Sequence, residues 1–114
     1  MARRNNTPQP TEVDVARLRK PKREEEEMFA VVDQKLGGLH LRVICDDGKE
    51  RFARIPGRFR RRMWIRVGDV VICKLWAYEK DKCDVIHKYT NIEVEKLKEK
   101  GYLKALEPYL GMIY

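Results

Sequence analysis

The sequence contains no serine, only two histidines and three cysteines. Catalysis by a serine nucleophile is therefore excluded, and no cysteine has a candidate base beside it. The chain also lacks a P-loop and the glycine motif of dinucleotide-binding folds. We therefore predict that the protein is not an enzyme, with no catalytic residue, no metal and no bound cofactor.

The three cysteines are Cys45, Cys73 and Cys83, an odd number without any Cys-x-x-Cys spacing. This usage favours free thiols in a reducing cytoplasm over a disulfide framework. Cys83 and His87 would form a metal-binding pair on a helix. On a strand, four residues separate them by roughly 13 Å, which is too far to share one ion.

Long apolar runs are absent too, and a membrane-spanning helix needs about 18 such residues. The first residues are polar, without the apolar core of a secretory signal. We expect a cytoplasmic protein with no membrane partner. A length of 114 residues suits a single domain, and we expect a monomer.

Positive charge is abundant and unevenly distributed. The 25 basic and 18 acidic residues give a net charge of +7. Residues 1–23 contain seven basic and two acidic side chains, and residues 55–76 contain six basic side chains and one acidic side chain. Such localised charge indicates a polyanionic partner, although a basic solvated surface is the simpler alternative.

Residues 1–27 lack apolar periodicity and contain three prolines among charged residues. We predict a disordered or loosely attached basic tail. Its last four residues, Glu24–Glu27, are interpreted as a solvated patch or as gatekeepers before an apolar strand. A metal-dependent nuclease that uses these carboxylates or Asp46 and Asp47 is an open alternative.

Strand-like segments fill residues 28–90. They cover residues 28–35, 39–45, 49–55, 70–78 and 83–89. In the second segment, Leu39, Leu41, Val43 and Cys45 alternate with polar residues, which places them on one face. Asp46–Gly48 is a hairpin signal that would pair the second and third strands.

Helical features follow in residues 91–114. Thr90 and Glu93 have the spacing of a capping box, and Gly101 provides a C-terminal stop. We expect this helix and the apolar segment after it to pack on the barrel. Five strands with short turns predict a mainly β protein, a five-stranded OB-fold Greek-key barrel, although an SH3-like barrel would have similar spacing.

The arginine-rich segment, Arg58–Arg66, is the strongest local motif. It holds five arginines with Phe59 and Trp64 between them. Arginine donates paired hydrogen bonds to phosphate, and aromatic rings provide faces on which unpaired bases stack. Alternatively, the rings lie in the core and the arginines are solvent-exposed in a loop. Phe59 suits either role, and we interpret Trp64 as a residue that faces RNA. A weaker second set, on the second and third strands, is equally explained by solvent-facing polar positions: Arg42, Lys49, Arg51 and Arg54.

Three stretches together resemble the translation initiation factor 1A family. They are Ile55–Ile65, Gly68–Val71 and Asp84–Tyr89, and the resemblance extends over roughly residues 24–104. The short tails are similar to those of the archaeal form. The resemblance implies an OB-fold that binds ribosomal RNA in the A site, the decoding region of the small ribosomal subunit, and cooperates with other initiation factors. The eukaryotic acidic tail that docks the subunit-joining GTPase has no counterpart at Leu110–Tyr114, so contact with a related GTPase is only conceivable here.

Carried over onto this sequence, the family's RNA-contacting loop corresponds to Gly57, Arg58, Arg60, Arg61, Arg62 and Trp64. With the neighbouring basic residues, the predicted RNA-binding set is Arg42, Lys49, Arg51, Arg54, Gly57, Arg58, Arg60, Arg61, Arg62, Trp64 and Arg66. The resemblance also implies tail contacts from Arg3, Arg4, Lys20, Lys22 and Arg23. Two other functions are considered: a general single-stranded RNA-binding protein or RNA chaperone, and a protein-interaction barrel that binds no RNA.

Overall fold

Five strand pairings, four antiparallel and one parallel, close a β-barrel. The computed structural model describes residues 15–57 and 64–110. The strands are β1 (Glu27–Gly37), β2 (His40–Cys45), β3 (Glu50–Arg54), β4 (Val70–Leu75) and β5 (Lys82–Lys88). Helix α1 (Asn91–Glu99), a 3₁₀ turn (Lys104–Leu106) and the short helix α2 (Glu107–Leu110) follow. Around the barrel the order is β1-β2-β3-β5-β4, with β3 and β5 parallel and every other pair antiparallel. This Greek-key closure is the OB-fold, and it confirms the predicted fold class.

The β2–β3 hairpin forms through the predicted turn. Gly48 has a φ of 86°, a backbone conformation that side chains disfavour, and its N–H donates to the carbonyl of Cys45 at 2.9 Å. The pairing of Val43 with Arg51 and of His40 with Arg54 fixes the register. As predicted, Leu41, Val43 and Cys45 point into the barrel, with Leu39 packed against the same cluster.

Strand β1 has a buried side chain at nearly every position of its first half because both of its faces are covered there. Ala30 and Val32 lie inside the barrel. Phe29 and Val31 lie outside it, under Leu97, Leu103, Leu106 and Leu110 of the C-terminal region. A strand covered on both faces has a continuous apolar run instead of an alternating one.

The predicted capping box forms at the start of α1. The Glu93 backbone N–H donates to Thr90 Oγ1 at 3.2 Å, and the Thr90 N–H donates to Glu93 Oε1 at 2.8 Å. Each bond satisfies a donor that the first helical turn would otherwise leave without a partner. After α1, Gly101 adopts a φ of 81° and turns the chain back towards the barrel.

The largest difference between a predicted and an observed strand boundary lies at the end of β4. Strand β4 ends at Leu75, not at residue 78, because Leu75 pairs with Cys83 and the chain then turns into β5. Tyr78 is 99% exposed in that turn. Within the predicted tail, residues 15–27 contain two 3₁₀ turns: Val15–Arg17 contacts α1, and Arg23–Glu25 contacts β1. Residues 1–14 lie outside the described range.

Glu27 also departs from its interpretation as a solvated residue. It begins β1, is only 4% exposed, and accepts a hydrogen bond from the Lys22 backbone N–H at 3.0 Å. The other three glutamates are exposed. Within the described part of the chain, no helix is both long and apolar enough to cross a membrane.

Candidate nucleic-acid interface

The C-terminal end of the arginine-rich segment is anchored to the barrel by a lysine. Lys88 Nζ, at the end of β5, donates to the backbone carbonyl of Trp64 and lies 3.4 Å from Asp69 Oδ2. The same Asp69 oxygen accepts the Arg66 backbone N–H at 2.8 Å. Polar contacts therefore fix the backbone on both sides of Ile65, which is itself buried in the barrel core. Arg58, Phe59, Arg60, Arg61 and Arg62 lie outside the described residues.

The Trp64 side chain is 82% exposed although its backbone is anchored. Its indole ring is therefore accessible for stacking and its Nε1–H for hydrogen bonding. Beside the ring lies an open groove of about 700 Å³ that also contains Arg66, His87 and Lys88. Trp64 therefore presents an aromatic face at the edge of a groove with basic side chains.

Two ring side chains at the end of β5 line the same groove. His87 contacts the Tyr89 ring edge-on, with ring centroids 4.8 Å apart. Burial and the nearby charge of Arg19 lower the pKa of His87, which favours the neutral imidazole. Burial raises the pKa of Tyr89, whose hydroxyl donates to the backbone carbonyl of Arg19. These residues therefore shape the groove without adding charge to it.

Arg51 belongs to the predicted RNA-binding set, but its position is structural. It is 6% exposed, and its guanidinium makes two bonds of 2.9 Å to the Asp47 carboxylate and one of 2.6 Å to the Lys80 carbonyl. Burial alone would raise the pKa of Asp47, but the bonds from Arg51 and from the Lys49 N–H hold it below its usual value. Because its donors are already used inside the protein, we exclude Arg51 from the interface proposed below.

The other basic residues of β2, β3 and the turn between them face solvent. Arg42 lies 4.0 Å from Glu50, a distance typical of a weak surface pair. Arg54 binds both oxygens of Asp84 at 3.1 and 3.2 Å. Lys49 is exposed in the hairpin, and Gly57 is exposed beyond β3 with open space around its Cα.

Three residues of the predicted tail contacts, Lys20, Lys22 and Arg23, lie within the described part of the chain. Lys20 Nζ is 5.3 Å from the centroid of the Tyr102 ring. Lys22 is exposed and 3.9 Å from Glu25. Arg23 makes bonds of 3.1 and 2.6 Å to Asp46, and the hydrogen bond to that carboxylate raises its pKa. Arg3 and Arg4 lie outside the described residues.

The carboxylates considered for a nuclease are held by ion pairs. Asp46 binds Arg23, Asp47 binds Arg51, and Glu26 binds Lys80. Over residues 15–57 and 64–110, no group of three or more His, Cys, Asp or Glu side chains could hold a metal ion.

The three cysteines are free and buried in the barrel. A hydrogen bond to Cys83 and burial raise the pKa of Cys45, which makes it an unreactive core thiol.

Sequence reasoning missed several side chains on the barrel surface. The sequence presents Lys88 only as part of a motif, and Phe52 and Trp76 only as strand residues. Alternation along β3 could have placed Phe52 outward, opposite the buried Arg51 and Ala53. No local signal could have found Trp76, since its position depends on where β4 ends.

Comparison with known proteins identifies the family. The family model described as translation initiation factor 1A / IF-1 matches residues 16–108. A translation initiation factor 1A of Archaeoglobus fulgidus is 52% identical over 94 residues, which cover 82% of this chain and 97% of that protein. A second, from Sulfurisphaera tokodaii, is 42% identical over 105 residues, covering 92% of this chain and 93% of the relative.

Among solved structures, the chain is similar to the solution structure of a translation initiation factor from a Wolbachia endosymbiont of Brugia malayi. The two are 25% identical, with a TM-score of 0.47. The match covers 57% of this chain and 78% of the other.

Proposed function

Because this chain belongs to the translation initiation factor 1A family and so acts in translation initiation, we propose that it binds the A site of the small ribosomal subunit. The contact is made with ribosomal RNA of the decoding region. The protein works by occupancy, without catalysis, and promotes assembly of the initiation complex in the cytoplasm. Its partners are that RNA and the other initiation factors bound nearby.

One observation carries the proposal: the exposed Trp64 ring projects from an anchored end of the arginine-rich segment. Lys88 and Asp69 hold the backbone there, so the ring starts from a fixed point on the barrel. Fixing the backbone in advance reduces the entropy that binding would otherwise cost. Arginines can then bind phosphates while the ring meets an unpaired base.

Electrostatics support a polyanionic partner. The chain has a net charge of +7, and the arginine-rich segment holds five of its basic residues. Each phosphate neutralised by a bound cation releases counterions, so affinity falls steeply with salt. Lys49 and Arg54 add exposed basic groups on the hairpin turn and β3, and Arg42 adds a half-buried one on β2. We include these three in the interface together with Gly57, Arg58, Arg60, Arg61, Arg62, Trp64 and Arg66.

The proposal is tested by titrating the full chain onto isolated small subunits at several salt concentrations. A variant with Arg60, Arg61 and Arg62 changed to Ala should bind more weakly. Its slope of log affinity against log salt should be smaller by roughly 2, because each lost phosphate contact removes about 0.7–0.9. The charge-matched control changes Lys98, Lys100 and Lys104 to Ala, in and after α1, and should bind like the wild type.

The same titration distinguishes the alternatives. A general RNA-binding protein would bind random RNA as tightly as small subunits. A protein-interaction barrel would bind neither, and equal weakening by the two triple variants would show that only net charge matters. The GTPase contact considered for the C-terminus involves Leu110–Tyr114. Leu110 is buried at the end of α2, and residues 111–114 lie outside the described range.

A further inference from the structure

Lys88 lines the groove beside Trp64, next to residues that the proposed function places against RNA. A lysine in such a groove is ordinarily expected to contact the phosphate backbone of the RNA directly. The contacts that Lys88 makes within the protein indicate a different role.

The ammonium group of Lys88 is directed at two acceptors of the protein. Its Nζ donates to the backbone carbonyl of Trp64 and lies 3.4 Å from Asp69 Oδ2. The side chains of Lys88 and Asp69 are 29% and 16% exposed, so solvent reaches the ion pair only in part. A phosphate would have to compete with a carboxylate and a carbonyl for the same ammonium group. The charge of Lys88 is therefore largely compensated before any RNA binds.

Both members of this ion pair are held by the barrel. Lys88 pairs with Val71 in the ladder between β4 and β5. Asp69 precedes β4, and its backbone carbonyl accepts the Val32 N–H of β1 at 2.9 Å. The barrel strands, and not the arginine-rich segment, therefore determine where the two charges lie. Together they form a fixed support for the backbone of Trp64.

The hydrogen bond to the Trp64 carbonyl constrains the direction of the indole ring. This carbonyl belongs to the planar peptide group that joins Trp64 to Ile65. Ile65 is buried in the barrel core, which holds one side of the peptide group, and Lys88 holds its oxygen. A fixed peptide plane restricts the ψ angle of Trp64 and hence the direction in which its Cβ leaves the backbone. Because the ring is 82% exposed, its position depends on this backbone constraint more than on packing around the ring.

We propose that Lys88 is a positioning residue for RNA binding, which acts through Trp64 and does not bind phosphate itself. Without its ammonium group the indole ring is still present, but the RNA must order the backbone that carries it. That ordering costs entropy on binding. The inference rests on the proposed function, since the position of the ring affects affinity only where Trp64 contacts RNA.

The first test separates positioning from phosphate binding by salt dependence. Lys88→Met keeps the aliphatic stem, removes the ammonium group, and should bind small subunits about three- to tenfold more weakly. Its slope of log affinity against log salt should equal that of the wild type, whereas a lost phosphate contact would reduce the slope by about 0.7–0.9. Lys96→Met is the matched control. Lys96 is also partly exposed and lies 3.7 Å from a carboxylate, that of Glu99 on α1, and its variant should bind like the wild type.

The second test is a double-mutant cycle with Trp64→Ala, which removes the ring and keeps the backbone carbonyl. Loss of the ring should weaken binding about tenfold, the effect of losing one stacked base. In the Trp64→Ala chain, Lys88→Met should weaken binding less than twofold further, because no ring remains to be positioned. Lys88→Arg keeps the charge and the N–H donors, and in the chain with Trp64 it should bind like the wild type.

Three results would overturn the inference: a smaller salt slope in Lys88→Met, an equal loss with and without the Trp64 ring, or undiminished affinity. The second result is also what a general disturbance of the barrel would give, so each chain is titrated where thermal unfolding shows it to be folded. Lys88→Gln, which is neutral but keeps an N–H donor, enters the same cycle and should lose no more affinity than Lys88→Met. Failure of the proposed function would appear differently, as wild-type protein that does not bind small subunits.

Discussion

Arg51 and Arg54 lie three residues apart on the same short strand, yet their environments differ completely. Arg51 points inward, where Asp47 and the Lys80 carbonyl use its donors. Arg54 points outward against Trp76 and Asp84. Residues i and i+3 of a regular strand lie on opposite faces, so the register of β3 decides which arginine is buried. Composition alone cannot separate a structural arginine from one available to RNA.

Exchanging each of these arginines for Ala should therefore have opposite consequences. Arg51→Ala should lower the free energy of unfolding by about 2 kcal/mol, because it removes a buried side chain together with its hydrogen bonds to a charged carboxylate. Its affinity for small subunits should stay unchanged. Arg54→Ala should lower stability by less than about 1 kcal/mol, the usual value of an exposed ion pair, but weaken subunit binding.

Denaturant unfolding measures the stability of each variant, and titration onto small subunits measures its affinity. The titration is performed under conditions in which Arg51→Ala remains folded. An Arg51→Ala chain that is as stable as the wild type and binds subunits poorly would show that Arg51 belongs to the interface.

Individual elements differ in how far local sequence determines them. The start of α1 was predictable because a capping box depends on two residues three apart, Thr90 and Glu93. The β2–β3 hairpin was predictable for the same reason, since Asp46–Gly48 carries its own turn signal. The end of β4 was not, because residues 76–78 are as apolar as the strand before them and only pairing with β5 ends it. The position of Trp76 depends on where β4 ends, so the sequence alone did not place its ring on the barrel surface.

The cap of α1 gives a prediction for a single element. Thr90→Ala should lower the free energy of unfolding by about 1 kcal/mol, because the Glu93 N–H loses its acceptor. For a domain of this size the loss corresponds to a decrease in Tm of roughly 4 °C. Thermal unfolding followed by circular dichroism measures it.

Thr90→Ser is the matched control, since serine caps a helix as well as threonine. A chain with Ala at this position that melts with the wild type would mean that packing of Leu97 against the barrel fixes α1 without help from its cap.

At the scale of the whole molecule, one side of the barrel packs against the C-terminal region, and other sides remain accessible to a partner. The C-terminal region covers one side of β1 and β4 through Phe29, Val31 and Ile72, and Leu18 of the segment before β1 packs on the same cluster. The surfaces left open include the groove beside Trp64 and the outer face of β3 around Phe52. Sequence predicted the barrel and the basic segment, because periodicity and charge are local. Local sequence could not have predicted the contacts of Arg19 with Ile86 and Tyr89, because they join residues that lie far apart in the chain.

Chemical footprinting of ribosomal RNA tests occupancy of the A site most directly. Small subunits are probed with base-specific reagents alone, with the wild-type chain, and with the variant in which Arg60, Arg61 and Arg62 are Ala. We predict that the wild type protects unpaired bases of the decoding region, that protection weakens as salt is raised, and that the triple variant gives little. Protection confined to other regions of the subunit, or a decoding region equally reactive with and without the wild-type chain, would contradict the account.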